Sequence, residues 1–142
     1  MSSYAGLYVH IPFCASRCVY CGFYSTTSLS LRQRYVEALC RETRLLPFKP
    51  RISTVYLGGG TPSQLTHDEL DQLFSCIYDV YDVSPDAEVT MECNPDDIRE
   101  GMLRDFPVNR VSMGAQTFSD ARLRFLRRRH TAREVDLSVD TL

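Results

Sequence analysis

The sequence predicts a parallel α/β fold of about four β/α units, and three observations carry that reading. Apolar residues alternate along the chain between strand and helix periodicity. Most runs are punctuated where such elements should end, by Gly, Pro or Asn after strands and by Pro or hydroxyl residues at helix boundaries. No linker or low-complexity stretch interrupts the alternation. Strands alternating with helices imply a parallel sheet with right-handed crossovers.

The elements follow in order. Gly6 to Ile11 (GLYVHI) is a β-branched and aromatic run stopped by Pro12, a short first strand. A cysteine-rich loop leads to a helix read as opening at Ser30, with Gln33 completing a capping box, and as ending at Pro47; Tyr35, Val36, Leu39 and Leu46 give its apolar face. Thr54 to Leu57 is the second strand, broken by Gly58-Gly59-Gly60. Thr66 and Glu69 form a second capping box for a helix carrying Leu70, Leu73, Phe74 and Ile77 on one face. Glu88 to Glu92 is the third strand, closed by Asn94-Pro95. A short helix over Ile98–Leu103 precedes the fourth strand, Arg110 to Met113, which ends at Gly114. Ser119 then caps a segment holding Leu123, Phe125 and Leu126, and a last helix runs from Thr131 to Leu142.

Composition sets the outer bounds. The chain has 142 residues, 44% of them hydrophobic, which suits a single domain with a real core. A charged fraction of 24% with eight Tyr and seven Phe excludes a disordered chain. Net charge is −2, so there is no general attraction to nucleic acid or membrane. Charge is uneven, net +4 over residues 1–50, −9 over 51–105 and +3 over 106–142, and solvated helix faces account for most of it. No apolar run reaches the 18 residues of a transmembrane helix, and the start MSSYAGLYVH carries no basic-then-apolar signal. A cytoplasmic location is therefore expected, and the six cysteines are expected as thiols or metal ligands rather than disulfides.

In parallel sheets, ligands gather at the carboxyl ends of strands. The unusual residues of this chain all fall there: the Cys loop after strand one, the glycines after strand two, Glu92-Cys93-Asn94-Pro95 after strand three, Gly114-Ala115-Gln116 after strand four. Cys14, Cys18 and Cys21 are spaced C-x3-C-x2-C, close enough to wrap one metal centre. An iron–sulfur cluster with one open iron position leads; structural zinc, which needs a fourth ligand, and a Cys18/Cys21 dithiol are the alternatives. His10 is read as core or supporting. Cys40 and Cys76 are read as small buried hydrophobes, and Cys93 as core. Gly58 to Ser63 frees backbone N–H groups for a carboxylate or phosphate, although a tight turn is the plainer reading, and the Lys of a P-loop is missing. Glu92 suits ribose hydroxyls, its plainer reading being a surface carboxylate. Gln116 suits an adenine edge or a sugar. Arg127-Arg128-Arg129-His130 reads by default as a solvated helix face, from which one Arg can clamp a carboxylate.

These residues together resemble the radical S-adenosylmethionine enzymes, whose signature is C-x3-C-x2-C with an aromatic before the last Cys, here Tyr20. Leu7 to Cys14, Gly58 to Ser63, Glu92 to Pro95 and Asn109 to Gln116 resemble, more narrowly, the oxygen-independent coproporphyrinogen III oxidase family. The resemblance implies a 4Fe-4S cluster on Cys14, Cys18 and Cys21, and S-adenosylmethionine held by Tyr8, Tyr20, Gly59, Gly60, Thr61, Glu92, Gln116 and Arg128, with cofactor cleavage to a 5′-deoxyadenosyl radical. The true oxidases carry another Cys two residues after the last ligand. Here that position is Phe23, and Cys21-Gly22-Phe23-Tyr24 resembles instead the haem-chaperone branch, which binds and transfers haem. Arg127 departs from that branch, which often has a small residue there. The expected partners are haem or porphyrin, a one-electron reductant and a haem-recipient protein, with no nucleic acid. Oxidative decarboxylation of porphyrinogen propionates is the alternative function, and a non-catalytic iron–sulfur or zinc binding fragment the alternative of another class. The resemblance further implies that residues 1–142 are the N-terminal portion of a partial (β/α)6 TIM-like barrel, a single truncated core domain lacking the later strands and a C-terminal domain.

Overall fold

The structure is a computed structural model describing residues 4–142. Its strands are β1 (Tyr4–Ile11), β2 (Arg51–Gly59), β3 (Val83–Cys93) and β4 (Arg110–Met113). They form one parallel sheet in the order β1-β2-β3-β4. The helices are α1 (Arg32–Leu45), α2 (His67–Val80), α3 (Asp120–Phe125) and α4 (Ala132–Thr141). No helix among the described residues is long and apolar enough to cross a membrane.

Alternation along the strands divides the sheet into two unlike faces. Val9, Ile11, Val55, Leu57, Val89, Met91 and Cys93 are all buried and share one core with Val36 and Cys40 of α1 and Leu70, Leu73, Phe74 and Ile77 of α2. Each large side chain fully withdrawn from water there contributes about 1.5–3 kcal/mol. The other face is polar. Register aligns Tyr8 with Tyr56, Tyr56 with Thr90, Thr90 with Arg110, and Glu92 with Ser112. A helix-covered apolar face and a polar face leave the strand ends, with their loops, as the place where chemistry collects.

The sequence reading of α2 holds in detail. Thr66 accepts from the Glu69 N–H, and the Glu69 carboxylate accepts from the Thr66 N–H, the reciprocal cap that the spacing predicts. The capping box expected at Ser30 and Gln33 does not form. Ser30 is already wound into a 3-10 turn, Leu29–Leu31, so α1 starts at Arg32 with no side-chain cap. Gln33 donates instead to Glu37 and Gln72. The helix expected over Ile98–Leu103 is replaced by a 3-10 turn at Pro95–Asp97 and further turns, because Gly101 takes a left-handed φ of +71° that ends any helical run. β1, β2 and β3 run longer than their sequence patterns: β3 begins at Val83 although Pro85 follows. The register slips between Ile52 and Thr54, pairing Val83 and then Glu88, so Pro85 sits where no ladder hydrogen bond is required.

Candidate functional site

The first loop rises from a buried foot. Phe13 is packed edge-on to Tyr35, ring centroids 5.4 Å apart, and the Tyr35 hydroxyl donates to the His10 carbonyl at 2.7 Å. Cys14 N–H donates to the Thr26 carbonyl and Thr26 N–H to the Pro12 carbonyl, closing the loop's neck. A turn follows in which Cys21 N–H donates to the Cys18 carbonyl at 3.3 Å. Cys14 is buried; Cys18 and Cys21 are half-buried and free.

The glycine run is stitched directly to that foot. Gly60 N–H donates to the Ile11 carbonyl and Thr61 N–H to the Phe13 carbonyl, both at 2.8 Å. The approach leaves no room for a side chain. A Cβ on Gly60 would lie 2.8–2.9 Å from backbone atoms of Ile11, Pro12 and Phe13, and one on Gly59, whose φ is +114°, would enter the His10 ring. His10 is itself braced, Nδ1 against the Tyr8 hydroxyl at 3.0 Å and Nε2 against the Tyr24 carbonyl at 3.1 Å. Thr61 is buried and its hydroxyl donates to Cys14 Sγ at 3.5 Å.

Glu92 is not the surface carboxylate of the plainer reading. It accepts from the Tyr56 hydroxyl at 2.7 Å and from Gly59 N–H at 3.1 Å. That hydrogen bond to the carboxylate, with burial, raises the Tyr56 phenol above its ordinary range. Burial first and Glu92 second raise Tyr8 in the same direction. Asn94, two residues on, donates through Nδ2 to Thr61 Oγ1 at 3.2 Å.

The basic run does not form a helix face. α3 stops at Phe125, and Arg127 adopts a left-handed φ of +57°, which redirects its neighbours. Arg129 pairs with Asp96 and Asp97, and buried His130 meets the Ala115 carbonyl at 3.2 Å. Arg128 turns inward. It donates through Nη1 to Cys18 Sγ at 3.4 Å and through Nη2 to Asn94 Oδ1 and the Gly114 carbonyl, both at 2.6 Å. Its Nε is buried with no partner among the described residues. Burial raises the adjacent Tyr20 phenol, against the opposing pull of Arg128.

All four loops line one cavity of about 320 Å³. Cys14, Cys18, Cys21, Tyr20, Gly59, Gly60, Thr61, Glu92, Gln116 and Arg128 are on its wall. Tyr8 is not; it lies on the polar sheet face beside Tyr56, ring centroids 6.1 Å apart, and its hydroxyl meets His10 Nδ1. Gln116 reaches the wall through a left-handed φ of +65°. Sequence reasoning assigned no role to Tyr56 or Asn94. The alternation that places Tyr56 on the face of Glu92 was a usable signal; for Asn94, only its place in the strand-end cluster was.

The donor set decides what fits. Among the described residues, no three His, Cys, Asp or Glu side chains gather at a point suited to one metal ion. The three thiols line a shared wall, a donor set that fits a cluster giving each thiolate its own iron. The N–H and O–H donors aimed at Cys14 and Cys18 complement thiolate charge, and Arg128 brings a guanidinium to the cavity wall, a group suited to a carboxylate.

Known proteins are similar to this chain in sequence and in fold. The haem chaperone HemW of Lactococcus lactis is 37% identical over 139 residues, 95% of this chain and 36% of that protein. The haem chaperone HemW of Bacillus subtilis is 37% identical over 142 residues, 94% of this chain and 37% of its own length. The anaerobilin synthase of Escherichia coli O157:H7 is 36% identical over 122 residues, covering 80% and 27%. The solved structure of the coproporphyrinogen III oxidase HemN from Escherichia coli, a radical SAM enzyme, superposes with a TM-score of 0.88 at 30% identity, over 96% of this chain and 33% of that one. The chain thus spans about a third of the length of the curated relatives it matches. Residues 8–142 match the Radical SAM superfamily, and with the fold, the three-cysteine loop and the strand-end cavity in agreement, the chain belongs to that superfamily.

Proposed function

We propose that this chain is the cofactor-binding part of a haem chaperone of the radical S-adenosylmethionine type. The observation that carries the reading is the meeting of four separate βα loops on one cavity, with three free thiols on one side and a glycine cradle, a carboxylate and a half-satisfied arginine on the other.

Cys14, Cys18 and Cys21 hold a 4Fe-4S cluster. Gly59, Gly60 and Thr61, which line the cavity, receive the methionyl part of S-adenosylmethionine. Arg128, on the cavity wall, takes the carboxylate; Glu92, already fixed by Tyr56 and Gly59, takes ribose hydroxyls; Gln116 and Tyr20 close the pocket. Tyr8 acts from outside by holding His10 against the glycines. When bound, a reduced cluster with an open iron supplies the single electron that splits the sulfonium cofactor. Haem is the cargo in this reading, supported by Phe23 in place of a fourth loop cysteine and by the HemW relatives. Porphyrinogen decarboxylation is the second reading, supported by the likeness to HemN.

Anaerobic reconstitution tests the core of the proposal: about four iron and four sulfide per chain and a brown protein are expected. A colourless protein that takes up zinc alone overturns it. With a reductant and S-adenosylmethionine, release of 5′-deoxyadenosine is expected. Stable haem binding without conversion of added coproporphyrinogen supports the chaperone; formation of a vinyl product establishes the oxidase.

A further inference from the structure

Asn94 sits where a cap would be expected, at the start of the 3-10 turn Pro95–Asp97, yet its side chain makes no capping hydrogen bond. The amide bridges two other groups instead. Oδ1 accepts from Arg128 Nη2 at 2.6 Å, and Nδ2 donates to Thr61 Oγ1 at 3.2 Å. Each of those residues in turn donates to a different loop thiol, Arg128 to Cys18 at 3.4 Å and Thr61 to Cys14 at 3.5 Å.

The chemistry fixes the direction of the chain. A guanidinium only donates, so the amide oxygen must face Arg128 and the amide nitrogen must face Thr61. A threonine hydroxyl that accepts from Asn94 keeps its single hydrogen for Cys14. One amide therefore commits two donors, through opposite ends, to two of the three thiols. Its backbone is held too: Asn94 N–H donates to Ser63 Oγ, and Ser63 Oγ donates to Asp97 at 2.8 Å.

Building on the function proposed above, we propose that Asn94 is a positioning residue that sets the reduction potential of the cluster on Cys14, Cys18 and Cys21 by orienting the Thr61 and Arg128 donors onto two of its sulfurs. Hydrogen bonds to ligand sulfur stabilise the more negative, reduced cluster and raise its potential. Without the amide, Thr61 is free to turn its hydrogen elsewhere and Arg128 loses an acceptor. Asn94→Asp makes a sharper change. The second carboxylate oxygen would face Thr61 as an acceptor, drawing the hydroxyl hydrogen away from Cys14 while keeping Arg128 in place.

The test is a redox titration of the reconstituted protein, following the reduced-cluster signal by electron paramagnetic resonance, for the unsubstituted chain, Asn94→Leu, Asn94→Asp and Thr61→Val. Asn94→Leu keeps the branching of the side chain while removing its polar atoms, and is expected to keep the iron content while disfavouring reduction about tenfold, a 59 mV fall for one electron. Asn94→Asp and Thr61→Val should each lower the potential, and Thr61→Val in the Asn94→Leu background should lower it less than in the unsubstituted chain, because the two act through one hydroxyl. A residue needed only for packing would reduce stability or iron content but leave the potential of the clusters that form unchanged. An unshifted potential in Asn94→Leu, or in Asn94→Asp if the leucine variant does not fold, overturns this assignment and leaves the proposed function standing. Failure of the unsubstituted chain to take up a cluster overturns both.

Discussion

At the scale of single residues, the six cysteines divide by environment. Burial pushes the Cys93 thiol up to about 12, and burial with the neighbouring Cys76 does the same for Cys40. The reactive form is the thiolate, and a group raised that far holds almost none of it at pH 8. Alkylation of the metal-free protein at pH 8 is therefore expected to label Cys18 and Cys21 first, with Cys40 and Cys93 reacting only after denaturation; mass-spectrometric mapping over time checks the order. Prompt labelling of Cys93 in the folded chain would contradict the packing of the β3 end. The glycines are equally specific. Gly60→Ala sets a Cβ against backbone that cannot retreat, so it should destabilise by about 1–3 kcal/mol and diminish cluster uptake. Gly22, which has open space around its Cβ position, should tolerate the same change, with both followed by thermal melting.

At the scale of elements, two helices rest on reciprocal caps. Thr66→Ala is expected to lower stability by about 1 kcal/mol, read as a shifted urea midpoint with an unchanged slope. The α4 cap adds a pH signature. The Thr131 backbone N–H, and then its hydroxyl, hold the Glu134 carboxyl below its ordinary value. A depressed carboxyl contributes stability that is fully present above its unfolded pKa and lost as pH falls through the folded one. Glu134→Gln should therefore be destabilising at pH 7, with a penalty that shrinks as pH falls and the carboxyl protonates, followed in denaturant titrations. A penalty independent of pH would show that the cap works through shape rather than charge. In the core, Leu57→Ala should cost about 2–5 kcal/mol, because Leu57 is completely enclosed between the sheet and the helices.

How much of this was legible follows the reach of each interaction. Strand identity and the Thr66–Glu69 capping box depend on neighbours a few residues apart, which spacing reveals, while the parallel arrangement followed from strands alternating with helices and the Thr131–Glu134 box was not read. Ser30 and Gln33 satisfied the same spacing and still failed, since a 3-10 turn had already used that backbone. Pro85 argued against a strand where a slip in register accommodates it. Arg127 could not be seen to turn the basic run inward, since its left-handed backbone is imposed by what surrounds it. Glu92 and Gln116 were found because they end strands. Asn94 went unassigned because its partners lie 33 and 34 residues away, a distance at which sequence pattern carries no information.

At the scale of the whole molecule, the cavity draws its wall from Cys14 through Arg128, so a ligand bound there couples nearly the full chain. Reconstituted protein with S-adenosylmethionine at about 100 times its Kd should gain about 2.7 kcal/mol from that ligand alone. Hydrogen exchange should show the added protection both in the cysteine loop and around residues 126–130. Protection confined to the cysteine loop would place Arg128 outside the binding unit.

The contact between Arg128 and Cys18 joins groups 110 residues apart, and that separation is also an interval of time. A ribosome adding about 5–20 residues per second makes the thiol roughly 5–20 s before the guanidinium that will face it. Through that interval the cysteine loop is finished but its last wall has not been synthesised, so on the function proposed above the complete cluster site exists only once Arg128 has emerged.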